Sequence, residues 1–170
     1  MIIIVQYRTE RRKKEANNGE ALYKIFIISE EENVCPLCHN ELIVIGSRDR
    51  RVIDGAGSIE TLVIRRLRCK HEKCKKIHHE LPDILVPYKR HCAETIENVI
   101  TGGNACCDFV TEYRIKAWWA AFCLYFESVK TSLQMKYQAV FSAMPTPKEM
   151  IRATANTNLW AHTRTAMTPI

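Results

Sequence analysis

The sequence predicts an α+β protein, with a small N-terminal β-hairpin module closed by paired cysteines and a following helical module that contains one long helix. Three observations predict it. Cysteines fall as two short-spaced pairs, CPLC at Cys35 and Cys38 and CKHEKC at Cys69 and Cys74, with thirty residues between them. Those residues pattern as two strands around a turn signal. Beyond Cys92, apolar residues recur at spacings of three and four, the period of a helix.

Taken in order, Ile2 to Tyr7 reads as a short strand and RTERRKKEANNGE, residues 8–20, as a polar connection. A second apolar run, Leu22 to Ile28, leads into the first cysteine pair. ELIVIGSRDRRVI, then DGAG at Asp54 to Gly57, then SIETLVIRRLRC is a hairpin; Leu62, Ile64 and Leu67 set among Arg65, Arg66 and Arg68 suggest one sheltered and one wet, basic face. Pro82 and Pro87 keep the next segment extended or irregular. A helix begins near Cys92, with Ile96, Val99 and Ile100 on one side, and stops at the glycines of TGGN, residues 101–104. The long helix runs from an N-cap at Thr111 to about Ser142, its core stripe formed by Ile115, Trp118, Trp119, Phe122, Phe126, Val129 and Leu133. MIRA, residues 150–153, allows one more helical turn, and Leu159 and Trp160 suggest a tail that packs back. The organisation expected is residues 1–90 for the N-terminal strands and ribbon, 91–145 for the helical module and 146–170 for the tail.

The chain has 170 residues, 46% of them hydrophobic, enough for a modest core. Its longest apolar run, AWWAAFCLYF, is half of what a membrane span needs, and MIIIVQY is followed by charge instead of a cleavage site. A cytoplasmic protein is expected. Reduced cysteines accord with that compartment, and the uneven spacing of the eight argues against a disulfide framework. Between Arg48 and Arg90 stand twelve Lys or Arg against six acids, so this segment carries the whole net excess of +6. A localised positive field of this kind attracts polyanions.

The two cysteine pairs are the strongest chemical signal. Zinc takes four ligands at tetrahedral corners, and two short Cys-to-Cys turns joined by a hairpin supply them: Cys35, Cys38, Cys69 and Cys74. The second pair is separated by four residues, so His71 or His78 competes with Cys74 for the fourth position; the sulfur is the better candidate because His71 sits only two residues from Cys69. With no open position, one Zn²⁺ is structural. Catalysis is not expected, because the four aspartates, Asp49, Asp54, Asp83 and Asp108, show no paired-carboxylate spacing and no nucleophile elbow is present.

CPLC, the hairpin ending IRRLRC, KIHHELPD with ILVPYKRH, and the tail NTNLWAHTRTA together resemble a family of short, uncharacterised bacterial proteins whose zinc ribbon is similar to the N-terminal ribbon of insertion-sequence transposases. The resemblance implies a zinc ribbon followed by a helix-turn-helix-like region, and DNA binding linked to mobile elements. TEYRIKAWW, residues 111–119, takes the place of the second helix, with Arg114 and Lys116 as its only basic residues.

Duplex DNA is thus the favoured partner. Arg48, Arg50, Arg51, Arg65, Arg66 and Arg68 on the hairpin, and Lys75, Lys76, Lys89 and Arg90 beside the zinc, are the phosphate-binding candidates; Arg114 and Lys116 approach a groove from the helix. Single strands fit less well, since Tyr88 is the only base-stacking ring in the basic segment. The alternative is a zinc-stabilised protein-protein interaction module, with a homo-oligomer in view because adjacent Trp118 and Trp119 cannot both face one core line. Neither a membrane nor a small-molecule substrate is expected.

Overall fold

A computed structural model describes residues 1–15, 21–138, 140–141 and 144–160. In chain order its elements are β1 (Ile2–Ile4), β2 (Tyr7–Glu15), β3 (Ala21–Ser29), β4 (Leu42–Ile53), β5 (Ile59–Cys69), β6 (Ile77–Pro82), α1 (Ala93–Thr101), α2 (Phe109–Tyr137) and α3 (Pro147–Asn156). The class is α+β. The strands join in the order β1-β6-β5-β3-β2, with β4 also on β5.

β5 is the hub. β4 pairs with it antiparallel from Leu42↔Cys69 to Ile53↔Ile59, the hairpin expected from the sequence. Its turn is made by the Asp54 carboxylate, which accepts the Ala56 and Ser58 amides at 3.0 and 2.7 Å, and by Gly57 at φ +85°. The opposite edge of β5 is shared: β3 pairs parallel at Leu62 and Val63, and β6 antiparallel at Arg66 to Arg68.

Residues 8–15 correct the sequence reading. They form β2, in an unbroken antiparallel ladder with β3 from Tyr7↔Ser29 to Glu15↔Ala21. A run of charge carries no apolar alternation to announce a strand, but a ladder needs only backbone partners, and antiparallel ribbons tolerate wet faces. Ile2 to Tyr7 is not one strand either. It breaks at Val5 and Gln6, whose amides donate to Glu31 Oε1 at 2.6 and 2.7 Å, so β1 runs parallel to β6 while Tyr7 opens β2.

α1 starts where expected, with Cys92 Sγ accepting the Thr95 amide, and ends on Gly102 at φ +78°. Residues 102–108 lead to α2, a longer connection than a tight helix-turn-helix corner. The α2 N-cap is Asp108, not Thr111: its carboxylate accepts the Thr111 amide at 2.8 Å, a stronger acceptor than a hydroxyl. The helix ends at Tyr137, short of the expected end near Ser142, because Gln138 takes φ +52° and donates its amide back to the Leu133 carbonyl. α3 is ten residues long instead of one turn, because Thr146 and Glu149 form a capping box around Pro147.

One apolar cluster runs through sheet and helices, including Ile4, Leu62, Ile64, Ile96, Phe122, Phe126 and Trp160. Trp118 and Trp119 both stack against Phe122, with ring centroids at 5.5 and 5.4 Å, so the adjacent tryptophans straddle one core residue. Two polar ties close the back of the fold. The Asn156 side chain mimics a neighbouring strand, accepting the Ile3 amide at 2.6 Å and donating to the Ile3 carbonyl at 3.0 Å. Tyr125 Oη donates to the Leu159 carbonyl, beside buried Trp160. The tail thus packs back through residue 160; residues 161–170 lie outside the described part. Among the described residues no helix is long and apolar enough to cross a membrane.

Phe122 is fully buried at the centre of the ring cluster, whereas Leu124 on the same helix is 64% exposed. Phe122→Ala is expected to destabilise the fold by about 3–5 kcal/mol and Leu124→Ala by less than about 0.5 kcal/mol in urea unfolding. Similar midpoints for the two variants would contradict this core.

Candidate metal centre and its basic surroundings

Cys35, Cys38, Cys69 and Cys74 place their sulfurs within 4.8 Å of one another. Cys35 Sγ lies 3.8 Å from Cys74 Sγ, and Cys38 Sγ lies 3.4 Å from Cys69 Sγ. A tetrahedron with metal–sulfur bonds of about 2.3 Å has edges of about 3.8 Å, so the group has the size to hold one metal ion.

The local backbone explains the convergence. In the first turn the His39 amide donates to the Cys35 carbonyl at 2.8 Å, and His39 then takes φ +57° to bring the chain back. In the second, the Lys75 amide donates to the His71 carbonyl at 3.0 Å, and Lys75 takes φ +46°. The second turn therefore starts at His71 and not at Cys69. Cys69 is the last residue of β5, and the two additional residues of CKHEKC carry the chain from the strand end into the turn. His71 is exposed and outside the sulfur group, so Cys74 fills the fourth place.

Amides aim at these sulfurs. Cys35 receives those of Leu37 and Cys38, Cys38 that of Asn40, and Cys69 that of His71. The Asn40 amide brings the Cys38 thiol down to about 6, while burial pushes Cys69 up to about 12. Four neighbouring thiols cannot all ionise unaided, and a cation at their centre removes that obstacle. His78 lies against the site without joining it: Nε2 is 3.5 Å from Cys35 Sγ, and burial lowers the imidazole to about 4, which keeps it neutral. In the Nε2–H tautomer the ring donates to the sulfur, an outer-shell contact that orients a ligand.

The twelve basic residues singled out from the sequence do not share one face. Neighbours along a strand point to opposite sides, and β5 carries Leu62, Ile64 and Arg66 on one side and Val63, Arg65 and Leu67 on the other. The expected division into an apolar and a basic face is therefore replaced by two mixed faces. Arg65 reaches buried Glu80 with Nε at 2.5 Å and Nη2 at 2.8 Å, and Asn33 completes the carboxylate at 3.1 Å. Arg50 donates to the Lys89 carbonyl at 2.5 Å, Lys89 Nζ lies 4.1 Å from the Trp118 ring centroid, and Lys116 faces Glu112 at 3.8 Å.

The others are open. Arg48, Arg51 and Arg90 line one cleft with Arg50, and Arg90 and Arg114 a second with Lys89, beside the start of α2. Lys89 and Arg90 are thus not beside the cysteines as expected but at the turn end of the hairpin, where the Ile53 amide donates to the Arg90 carbonyl at 2.8 Å. Arg48, Arg66 and Arg50 lie near enough to His79 to add to the burial that lowers its imidazole. Lys75 and Lys76 are exposed at the second cysteine turn and Arg68 on β5. Among the described residues Arg48, Arg51, Arg66, Arg68, Lys75, Lys76, Arg90 and Arg114 form no ion pair.

Sequence reasoning missed Glu80 and Asn33, and the amides around the sulfurs. Glu80 shares its side of β6 with His78 by strand alternation, but its partner Arg65 is evident only once the β5–β6 register is known.

A family model described as "Domain of unknown function (DUF6431)" matches residues 35–118, just under half of the chain. The match begins at the first cysteine of the centre and takes in both pairs, β4 to β6, α1 and the start of α2. Comparison with curated proteins and with solved structures gave no significant match.

Substitution separates the fourth ligand from its neighbour. Cys74→Ser is expected to lower bound metal well below one ion per chain by elemental analysis, while His71→Ala retains the full complement. The reverse pattern would overturn the assignment.

Proposed function

We propose that the protein is a zinc-stabilised DNA-binding module whose basic sheet surface meets the phosphates of duplex DNA. Zinc is the metal proposed because four thiolates in a closed tetrahedral set favour an ion without redox chemistry or a strong geometric demand of its own. Its role is structural: it fixes the β5 end, and with it the residues that β5 and β6 display. A link to mobile elements is what the resemblance to transposase ribbons adds.

The observation that carries the reading is the set of exposed cations without protein anions. Arg48, Arg51, Arg68, Lys75, Lys76 and Arg90 are exposed and unpaired among the described residues, and Arg66 is half-buried beside Arg48. Positive side chains held on a rigid sheet without partners repel one another, and phosphates relieve that repulsion while releasing their own counterions. Arg114 extends the surface to the α2 N-terminus. Arg50, Arg65 and Lys89 support it from within, since each is already engaged by the protein, while exposed Lys116 faces Glu112.

The alternative, a zinc-stabilised interaction module without nucleic-acid binding, is favoured by one feature of α2. Phe109, Tyr113 and Leu124 are 81%, 67% and 64% exposed and fall on one side of the helix, away from buried Ile115, Phe122 and Phe126.

A salt-titrated duplex-binding assay on the metal-loaded chain separates the two. The DNA reading expects log K to fall with log salt, and Arg66→Gln with Arg68→Gln to reduce that slope by about 2, roughly 0.9 for each phosphate left without its cation. Stoichiometric zinc without salt-dependent DNA binding would replace it with the interaction module.

A further inference from the structure

β2 is charged beyond what the metal centre or the β4–β5 surface explains. Its nine residues include Arg8, Arg11, Arg12, Lys13 and Lys14 against Glu10 and Glu15. With β3 it forms a ribbon that, among the described residues, pairs with the rest of the sheet only at Ile25 and Phe26. The rungs from Arg12↔Lys24 to Glu15↔Ala21 lie beyond that junction.

Two of the basic side chains lie over rings, one on each side of this ribbon. On one side the Arg11 guanidinium lies 4.9 Å from the Tyr23 ring centroid; on the other the Arg12 guanidinium lies 4.4 Å from that of Phe26. Arg8 and Arg12 share the one Glu10 carboxylate, and Lys24 pairs with Asp49, so each of these three cations on the second side already has a carboxylate partner. Arg11 and Lys13 alternate onto the first side, are exposed, and form no ion pair among the described residues.

We propose that the β2–β3 ribbon is a second duplex-DNA contact, in which Arg11 and Lys13 bind backbone phosphates. The proposal rests on the DNA-binding reading and extends it to a surface which that reading does not use. Three features point to duplex. A two-stranded ribbon is one of the two shapes that the major groove admits. Of the ribbon's three rings, Tyr23 and Phe26 each have a guanidinium over one face and Tyr7 donates its hydroxyl to Asp83, which leaves them poorly placed to stack unpaired bases. Arg11 also stands in the same cross-strand row as Ile25, Leu62 and Arg50. Three strand spacings of about 4.8 Å separate the row's ends by about 14 Å, less than half a helical turn of DNA. That separation is within the span of one duplex, which would have to pass over the covered middle of the row at buried Leu62. Charge on an edge strand also guards against strand-to-strand aggregation, but that needs no arginines set over rings.

The test is fluorescence anisotropy with the full, metal-loaded chain, on a labelled duplex of about thirty base pairs and on the matching single strand, from about 50 to 200 mM salt. Arg11→Gln with Lys13→Gln is expected to cut the duplex salt slope by about 2 and weaken binding at least tenfold at about 0.1 M salt. Metal content and circular dichroism should match the wild type. Arg11→Lys with Lys13→Arg, which keeps the charge, should bind within a few-fold of wild type; equal loss in both variants would make the effect structural and overturn the proposal. Unchanged duplex binding by the glutamine variant, while Arg66→Gln with Arg68→Gln loses affinity, would remove the ribbon and leave the DNA reading standing. Wild-type protein without salt-dependent duplex binding would remove both. A loss seen only on the single strand would overturn the duplex assignment.

Discussion

Four sulfurs gathered within 4.8 Å impose a constraint that the surrounding structure answers. As thiols they make only weak contacts with one another, and as thiolates they repel; a divalent cation turns the same arrangement into a net attraction. The amides of Leu37, Cys38, Asn40 and His71 and the neutral ring of His78 are arranged as donors to sulfur, which favours the ionised form. The sulfurs come from the 35–38 turn, the end of β5 and the turn before β6, so one ion held by all four would join three places on the chain and secure the β5–β6 register. That register sets Arg66 beside His79 and brings Glu80 to Arg65.

The second organising fact is the alternation of β5. Because successive side chains leave opposite faces, the basic run of IRRLRC is divided: Arg65 goes to a buried carboxylate, while Arg66 joins Arg48 near His79. A buried ion pair contributes little net stability against a well-packed apolar alternative, yet losing one partner strands the other charge. Arg65 and Glu80 thus act mainly as a register pin between β5 and β6. The residues available to a polyanion are the ones that this pin leaves outside, together with the cysteine-turn lysines and Arg90.

Much of this was legible in the sequence. The hairpin, the αL stop at Gly102, the aromatic stripe of α2 and the four cysteines each have a local cause: turn chemistry, helical period or ligand spacing. The centre's fourth member was less certain, because spacing alone does not show that the second turn begins at His71. β2 was illegible, since a strand without an apolar face gives no period-two signal; the pairing with β3 that creates it is a tertiary event. The α2 start moved to Asp108 because two acceptable caps lay three residues apart and the carboxylate is the better acceptor. The division of the basic surface depended on strand parity and partners such as Glu80, which composition does not encode.

The central claim is that all four cysteines, and no histidine, hold the ion on which the sheet's register depends. Zinc-edge X-ray absorption on the purified, metal-loaded chain tests it directly. The account predicts a single shell of four sulfurs at about 2.3 Å. A nitrogen shell at about 2.0–2.1 Å in place of one sulfur, or no stoichiometric metal, would contradict it.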